Sequence, residues 1–200
     1  METATTKAER TRQFIIEQSA HLFNQQGYAG TSLQDIMAAT KLTKGGIYGH
    51  FESKEEIAIA AFEYASGKIL NLLAQTINTQ VTATGKLEAL LDFYKKYLVS
   101  PPVTGGCPVL NTSVEADDTN PLLRASVVKV LNKMHRSLEH IVQQGIQNGE
   151  FKATTDATRF SILFVSMIEG GVMVSKAYGK PLYLLTVIKQ LHDMINQMKS

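Results

Sequence analysis

The sequence predicts an all-α fold in two parts, a small three-helix head and a larger helical body. Three observations lead there. Apolar residues recur at three- and four-residue spacing over most of the 200-residue chain, the signature of helices with one buried face. Strand-like alternation is scarce and no internal repeat is visible. Glycine, proline and short polar residues fall between the periodic segments, where helix caps belong.

The elements follow in order. A first helix is expected from about Lys7 to Gln26, with Ile15, Ser19, Leu22 and Phe23 on one face. Gly27 ends it, and Tyr28-Ala29-Gly30 makes a turn. Thr31 or Ser32 caps a second helix over about Leu33 to Ala39, which buries Leu33, Ile36 and Met37. Thr31 has Gln34 three residues on, the spacing of a capping box, and Asp35 adds negative charge to the first turn. Beyond a tight Thr40-Lys41-Leu42 turn, Thr43 caps a third helix, about Lys44 to His50, with Ile47 and Phe51 facing inward. Ser53-Lys54-Glu55-Glu56 reads as a full capping box for a long fourth helix, to about Thr79. A fifth covers about Gly85 to Val99, and Pro101-Pro102 with Gly105-Gly106 then break the chain. A short helix is expected over Pro108 to Ala116. Asn120 caps a seventh, with Pro121 at its first position and Gly149 at its end. Thr154 or Thr155 opens an eighth, which stops near Tyr178-Gly179. Pro181 opens a ninth.

Composition bounds the function. Hydrophobic residues at 44% are ordinary for a folded domain, whereas 19% charged is slightly low and points to apolar surface covered by a partner subunit. The net charge is only +2, so binding to nucleic acid must rest on a local patch. A lone Cys107 excludes a disulfide within the chain and fits a reducing cytoplasm. The stretch from Met1 to Arg12 lacks the apolar centre of a signal peptide. The most apolar run, Phe160 to Val174, is interrupted by Glu169 and too short to span a bilayer. No Walker loop, GxGxxG, GxSxG, HExxH or zinc-type Cys/His spacing occurs, which argues against an enzyme. No cofactor and no metal are expected. The acids Glu115, Asp117 and Asp118 read either as a cation site or as a solvated helix end. Two classes remain, a DNA-binding regulator and a helical ligand-binding scaffold.

The head carries the chemistry that separates them. Three helices in about fifty residues, two of them short and joined by a tight turn, make a helix-turn-helix DNA-binding domain, taken here as residues 1–53. DNA needs phosphate contacts for affinity and base-edge contacts for sequence. Thr31 and Ser32 sit at a helix N-terminus, where free N–H groups and the helix dipole favour phosphate. Lys54 opposes the dipole at the start of the fourth helix, and a phosphate partner accounts for it. Tyr48 and His50 can donate to backbone oxygens. Thr43, Lys44 and Gly45 form the tip that meets base edges in a major groove. Gly45, Gly46 and Gly49 each destabilise a helix by roughly 0.5–1 kcal/mol, which close approach of the backbone to DNA would justify. From Lys7 to Lys54 the basic residues Lys7, Arg10, Arg12, Lys41, Lys44 and Lys54 only slightly outnumber Glu9, Glu17, Asp35 and Glu52. Arrangement therefore matters more than charge. Arg10 and Arg12 read equally as phosphate or minor-groove contacts and as solvated arginines.

The residues Gly27-Tyr28, Thr31-Ser32, Asp35-Ile36, Lys44-Gly45-Gly46-Ile47-Tyr48, His50-Phe51 and Ser53-Lys54-Glu55-Glu56-Ile57 strongly resemble the DNA-binding domain of the tetracycline-repressor (TetR) family, over about a quarter of the chain. Gly49 stands where many members carry a larger residue. By this resemblance Tyr48, His50 and Lys54 match positions that grip phosphate. The body, residues 54–200, then corresponds to a ligand-binding and dimerisation domain. Its last two helices carry Ile162, Leu163, Val172, Leu184, Val187, Ile188, Leu191 and Ile195 and pair with a second copy. The expected partners are a palindromic operator in double-stranded DNA and an apolar or aromatic effector. Phe62, Phe93, Tyr97, Cys107, Met134, Phe164 and Met167 are the candidates for its pocket.

Overall fold

The computed structural model describes residues 6–97 and 99–200; the first residues of the polar N-terminal stretch lie outside the described residues. Among the described residues the order is α1 (Lys7–Gly30), α2 (Leu33–Thr40), α3 (Lys44–Tyr48), α4 (Lys54–Asn78), α5 (Ala83–Tyr97), α6 (Pro108–Ala116), α7 (Pro121–Gln147), α8 (Ala157–Tyr178) and α9 (Leu182–Met198). An isolated antiparallel bridge joins Phe151 and Lys199. The fold is all-α, as expected.

The chain forms two compact units. The first runs up to Lys68 and takes in Val103–Val128; the second comprises Ile69–Pro102 and Lys129–Ser200. Packing thus divides the chain elsewhere than at the expected functional boundary between residues 53 and 54, and it assigns α6 to the unit that holds the head.

In the first unit, Ile15 and Ile16 of α1, Ile36 of α2, Ile47 of α3, Phe51, and Ile57 of α4 make one core, each no more than 6% exposed. Burying each such side chain contributes about 1.5–3 kcal/mol. This core fixes α2 and α3 on α1 and α4. Gly27 interrupts α1 with φ 76°, a conformation that glycine adopts without strain. Lys41, between α2 and α3, is the only non-glycine residue at positive φ (60°) among the described residues.

Several caps differ from expectation. Of the two candidates for α2, Ser32 is the cap, as one of the expected pair, but its box is closed by Asp35, whereas the box expected was Thr31 with Gln34. Thr31 is unavailable because it is fully buried and its hydroxyl donates to the Gly27 carbonyl at 2.7 Å. The third helix ends at Tyr48, with Gly49 as its C-cap. Ser53 accepts from the Glu56 N–H at 3.1 Å, but the Glu56 carboxylate turns to the Glu52 N–H at 2.8 Å. The box expected at α4 is therefore half formed. Asp156, not Thr154 or Thr155, caps α8. Carboxylates accept from free helix N–H groups as well as hydroxyls do, and they reach further.

In the second unit α8 and α9 pack closely. A β-carbon on Gly171 would lie 3.2 Å from the Leu184 Cα, so this glycine sets the approach. Ser175 accepts from the Leu184 N–H at 2.8 Å. Leu184, Leu191, Ile195 and Ile168 are buried. Glu150 caps α5 from outside, accepting from the Ala83 and Thr84 N–H groups at 2.9 and 3.0 Å. Burial raises the Glu150 carboxyl pKa, but the Thr84 and Ala83 hydrogen bonds and the Lys86 charge outweigh it and hold the group below the ordinary range. Within one chain α8 is only partly covered. Phe160, Phe164, Val165, Ile168 and Val172 are buried, but Ile162 and Met173 are half exposed. The helix also outruns the Phe160–Val174 stretch: α4 and α8 are both long and apolar enough, by length and composition, to cross a membrane.

Candidate DNA interface and effector region

The candidate interface centres on α3. Thr43 accepts from the Gly46 N–H at 3.1 Å and starts the helix. Ile47 is its one buried residue and anchors it. Thr43, Lys44, Gly45, Tyr48 and Gly49 are exposed, and His50 is half-buried. Lys44 reaches over the Tyr48 ring, 5.9 Å from its centroid, so charge and aromatic surface lie side by side. A β-carbon on Gly45 would meet nothing within 4 Å, and neither Gly45, Gly46 nor Gly49 has positive φ. The chain's own packing therefore places no demand for glycine at 45.

Ser32 is exposed at the start of α2, where its hydroxyl donates to Asp35 at 2.6 Å and accepts the Asp35 N–H at 3.2 Å. Hydrogen bonds from the Ser32 hydroxyl and N–H hold the Asp35 carboxyl pKa below its usual range.

Lys54 is placed differently from its sequence reading. Its ammonium donates to the Tyr28 carbonyl at 2.8 Å and the Thr31 carbonyl at 2.9 Å, and it lies 4.2 Å from the Tyr28 ring centroid. Two of its three N–H donors thus close the end of α1. Burial first, and then the negative charge of Glu55, push the Tyr28 phenol up from its usual value. Arg12 is likewise engaged. Its guanidinium stacks 4.5 Å from the Phe51 ring centroid and donates to Glu56 at 3.1 Å. Arg10 and Lys41 are exposed. Sequence reasoning missed these internal roles because each partner lies more than twenty residues away and no local pattern marks it.

Glu115 was read as a cation ligand or a solvated acid, and it is neither. Its carboxylate accepts from the Tyr28 and Ala29 N–H groups at 2.6 and 2.7 Å. No cluster of acids, histidines and cysteine able to hold a metal ion occurs among the described residues.

The residues expected to hold an effector separate between the units. In the first, Phe62 lines a cavity of about 20 Å³ with Ala20, Phe23 and Thr112, room for about one water molecule. Cys107 is buried in the same unit, at the N-terminal boundary of α6. In the second, Phe93 and Tyr97 border an open groove of about 440 Å³ with Thr76, Ala89 and Lys96. Phe93 lies 5.3 Å from Tyr94, and Tyr94 lies 5.7 Å from Tyr97 and 6.4 Å from Phe164. Tyr94, unread in the sequence, therefore connects three of the predicted residues. Met134 and Met167 are half-buried.

Comparison with known proteins agrees with this head and body. Residues 15–61 match the family described as bacterial regulatory proteins, tetR family, and residues 83–191 match the tetracyclin repressor-like C-terminal domain. A TetR transcriptional regulator from Chloroflexus aurantiacus is similar in structure, with a TM-score of 0.92, 41% identity, and 96% of this chain and 98% of that one covered. An uncharacterised HTH-type transcriptional regulator of Bacillus subtilis, YxaF, is 27% identical over 94% of this chain and 96% of its own. The HTH-type transcriptional repressor DhaR of a Mycobacterium strain is 22% identical over 82% of each. With the α3 tip outward and both domains matched, this chain belongs to the tetR family of bacterial regulatory proteins and is a helix-turn-helix transcriptional regulator, not an enzyme.

Proposed function

We propose that the protein is a cytoplasmic repressor that binds a palindromic operator as a homodimer and leaves it when a small apolar or aromatic molecule binds the body. The observation that carries this reading is the outward tip of α3. Lys44 and Tyr48 are exposed beside a Gly45 whose missing side chain the protein does not need. In a groove, Thr43, Lys44 and Gly45 meet base edges. Ser32, Tyr48, Gly49, His50 and the remaining donor of Lys54 meet phosphates. Thr31, buried and bonded to Gly27, supports α2 rather than touching DNA.

The dimer is supported by an apolar stripe left outward on the last two helices. Ile162 and Met173 of α8 are 51% and 50% exposed, and Leu182 and Leu185 of α9 are 62% and 43% exposed. A second copy covers such a stripe in a four-helix contact. Two recognition helices set about 34–36 Å apart then read the two halves of a palindrome. An effector that favours another separation of the heads lowers DNA affinity by linkage. The aromatic groove of the second unit, with Phe93 and Tyr97, suits an aromatic effector.

Fluorescence anisotropy with duplexes from the protein's own promoter tests this reading. Specific binding should weaken steeply as salt rises. Tyr48→Ala should weaken binding to every sequence, whereas Lys44→Ala should change which sequences bind. Sequence-blind binding by the unmodified protein would overturn the regulator reading. Unchanged binding by both variants would overturn the site.

A further inference from the structure

We propose that Lys41, in the turn between α2 and α3, is a further DNA contact of this chain, its ammonium holding a phosphate on the wall of the groove that α3 enters. The inference rests on the regulator reading above and adds a residue to the binding surface.

The backbone at Lys41 is left-handed, with φ 60° and ψ 20°. A β-carbon meets steric resistance there, and glycine or asparagine is the ordinary choice at such a helix end. This chain follows that preference elsewhere: among the described residues, positive φ is otherwise taken by Gly27, Gly105, Gly106, Gly149 and Gly179. Lysine thus stands where the demands of the turn alone select glycine.

The fold gains nothing from the Lys41 side chain in return. The turn is closed by other groups. The Lys41 N–H donates to the Met37 carbonyl at 2.9 Å. The buried Thr40 hydroxyl donates to the Ile36 carbonyl at 2.7 Å and accepts the Leu42 N–H at 3.3 Å, and Leu42 packs against the head core. Lys41 itself is exposed, and among the described residues its ammonium makes no hydrogen bond, ion pair or ring contact. Lys54 and Arg12 differ, since both are bound into the head by their charged ends. A strained residue with no internal use is a functional candidate.

Position and chemistry give the partner. Thr43, the cap of α3, is two residues on, and two residues span at most about 7 Å. A tip seated in a groove therefore brings the Lys41 stem to the groove's wall, which is lined by phosphates. A lysine is a point charge on a flexible stem, suited to phosphate and without the planar fork that reads a base edge. The contact adds affinity, not sequence preference.

Fluorescence anisotropy over a salt series tests the proposal on the full-length protein, with duplexes that the unmodified protein selects from a random-sequence pool. Urea denaturation runs beside it. Lys41→Gly should raise the urea midpoint, because strain is relieved and no internal contact is lost. It should weaken binding to selected and scrambled duplexes alike, about threefold or more, and make the slope of log affinity against log salt shallower by about one for each bound copy. Lys41→Arg keeps the charge and should keep both affinity and slope. Lys68→Gln removes the same charge from an exposed site well along α4 and should change neither. Unchanged affinity and slope in Lys41→Gly, or a loss no greater than that of Lys68→Gln, would overturn the proposal. So would a shift in preferred sequence in place of a uniform loss, or a lower urea midpoint, which would show that the side chain serves the fold. Failure of the unmodified protein to select any sequence would instead overturn the regulator reading, and it shows before any variant is compared.

Discussion

Two adjacent short helices of the head make opposite use of their side chains. The eight residues of α2 serve the fold: a reciprocal Ser32/Asp35 cap, a fully buried Ile36, and Thr40 bonded back to the Ile36 carbonyl at 2.7 Å. The five residues of α3 bury only Ile47 and leave Lys44, Gly45 and Tyr48 outward. The same contrast separates Lys54 from Tyr48. Lys54 is bound into the fold from two sides, while Tyr48 projects from it.

Substitutions can break or sharpen that contrast. The largest effect is expected from Ile36→Ala, which empties the head core and should destabilise the protein by about 2–5 kcal/mol, measured by chemical denaturation. Similar stability in the variant would mean that α2 is not the structural member of the pair. Next, Lys54→Met should destabilise by about 1–3 kcal/mol, because two partly buried carbonyls lose a charged donor. Tyr48→Ala should stay within about 0.5 kcal/mol of the unmodified protein, as ordinary surface changes do. Both should weaken DNA binding; equal stability losses would erase the distinction between them.

A smaller effect depends on pH. The Asp35 carboxyl titrates below its usual range because the Ser32 hydroxyl and N–H favour its ionised form. Its stabilisation is therefore present above the unfolded-state pKa of about 3.9 and is lost as pH falls through the lower folded value. The stability gap between the unmodified protein and Asp35→Asn should narrow below about pH 4, followed by thermal unfolding. A constant gap would remove Asp35 from the cap. The smallest change reverses sign. Gly45→Ala should stabilise α3 by about 0.5–1 kcal/mol, since the new methyl meets open space and the helix loses a glycine. Binding to DNA should nevertheless fall. A variant both more stable and fully binding would show that the groove never approaches that backbone.

What could be read from the sequence follows how far each signal extends along the chain. Periodicity and local caps located α6 at the residues observed, the glycine break at residue 27, which lies within α1, and Ile47 and Phe51 in the core. Local competition between neighbours was harder to read. Thr31 and Ser32 look alike as caps, and only burial of Thr31 chooses between them. Contacts across many residues left no trace at all. Glu115 reaches the α1 break from 87 residues away, and Lys54 was read as a phosphate ligand because its partners are carbonyls, which every residue has. The exposed α3 tip was legible because Thr43, Lys44, Gly45, Tyr48 and Gly49 lie within one short stretch. The aromatic contacts of the second unit were not, because Phe164 meets Phe93 and Tyr97 through Tyr94 from a helix distant in sequence.

Gly27 is bound by two constraints with different origins. Its φ of 76° is one that residues with side chains rarely adopt, and a β-carbon there would lie 2.5 Å from a Glu115 carboxylate oxygen. A mutation at 27 alone meets both obstacles, while a mutation at 115 alone leaves an empty notch beside a glycine with no remaining packing reason to persist. Over evolutionary descent the two positions are therefore expected to drift as a pair, glycine surviving where the long acid survives. The record of that contact should be sought in paired substitutions rather than in either column by itself.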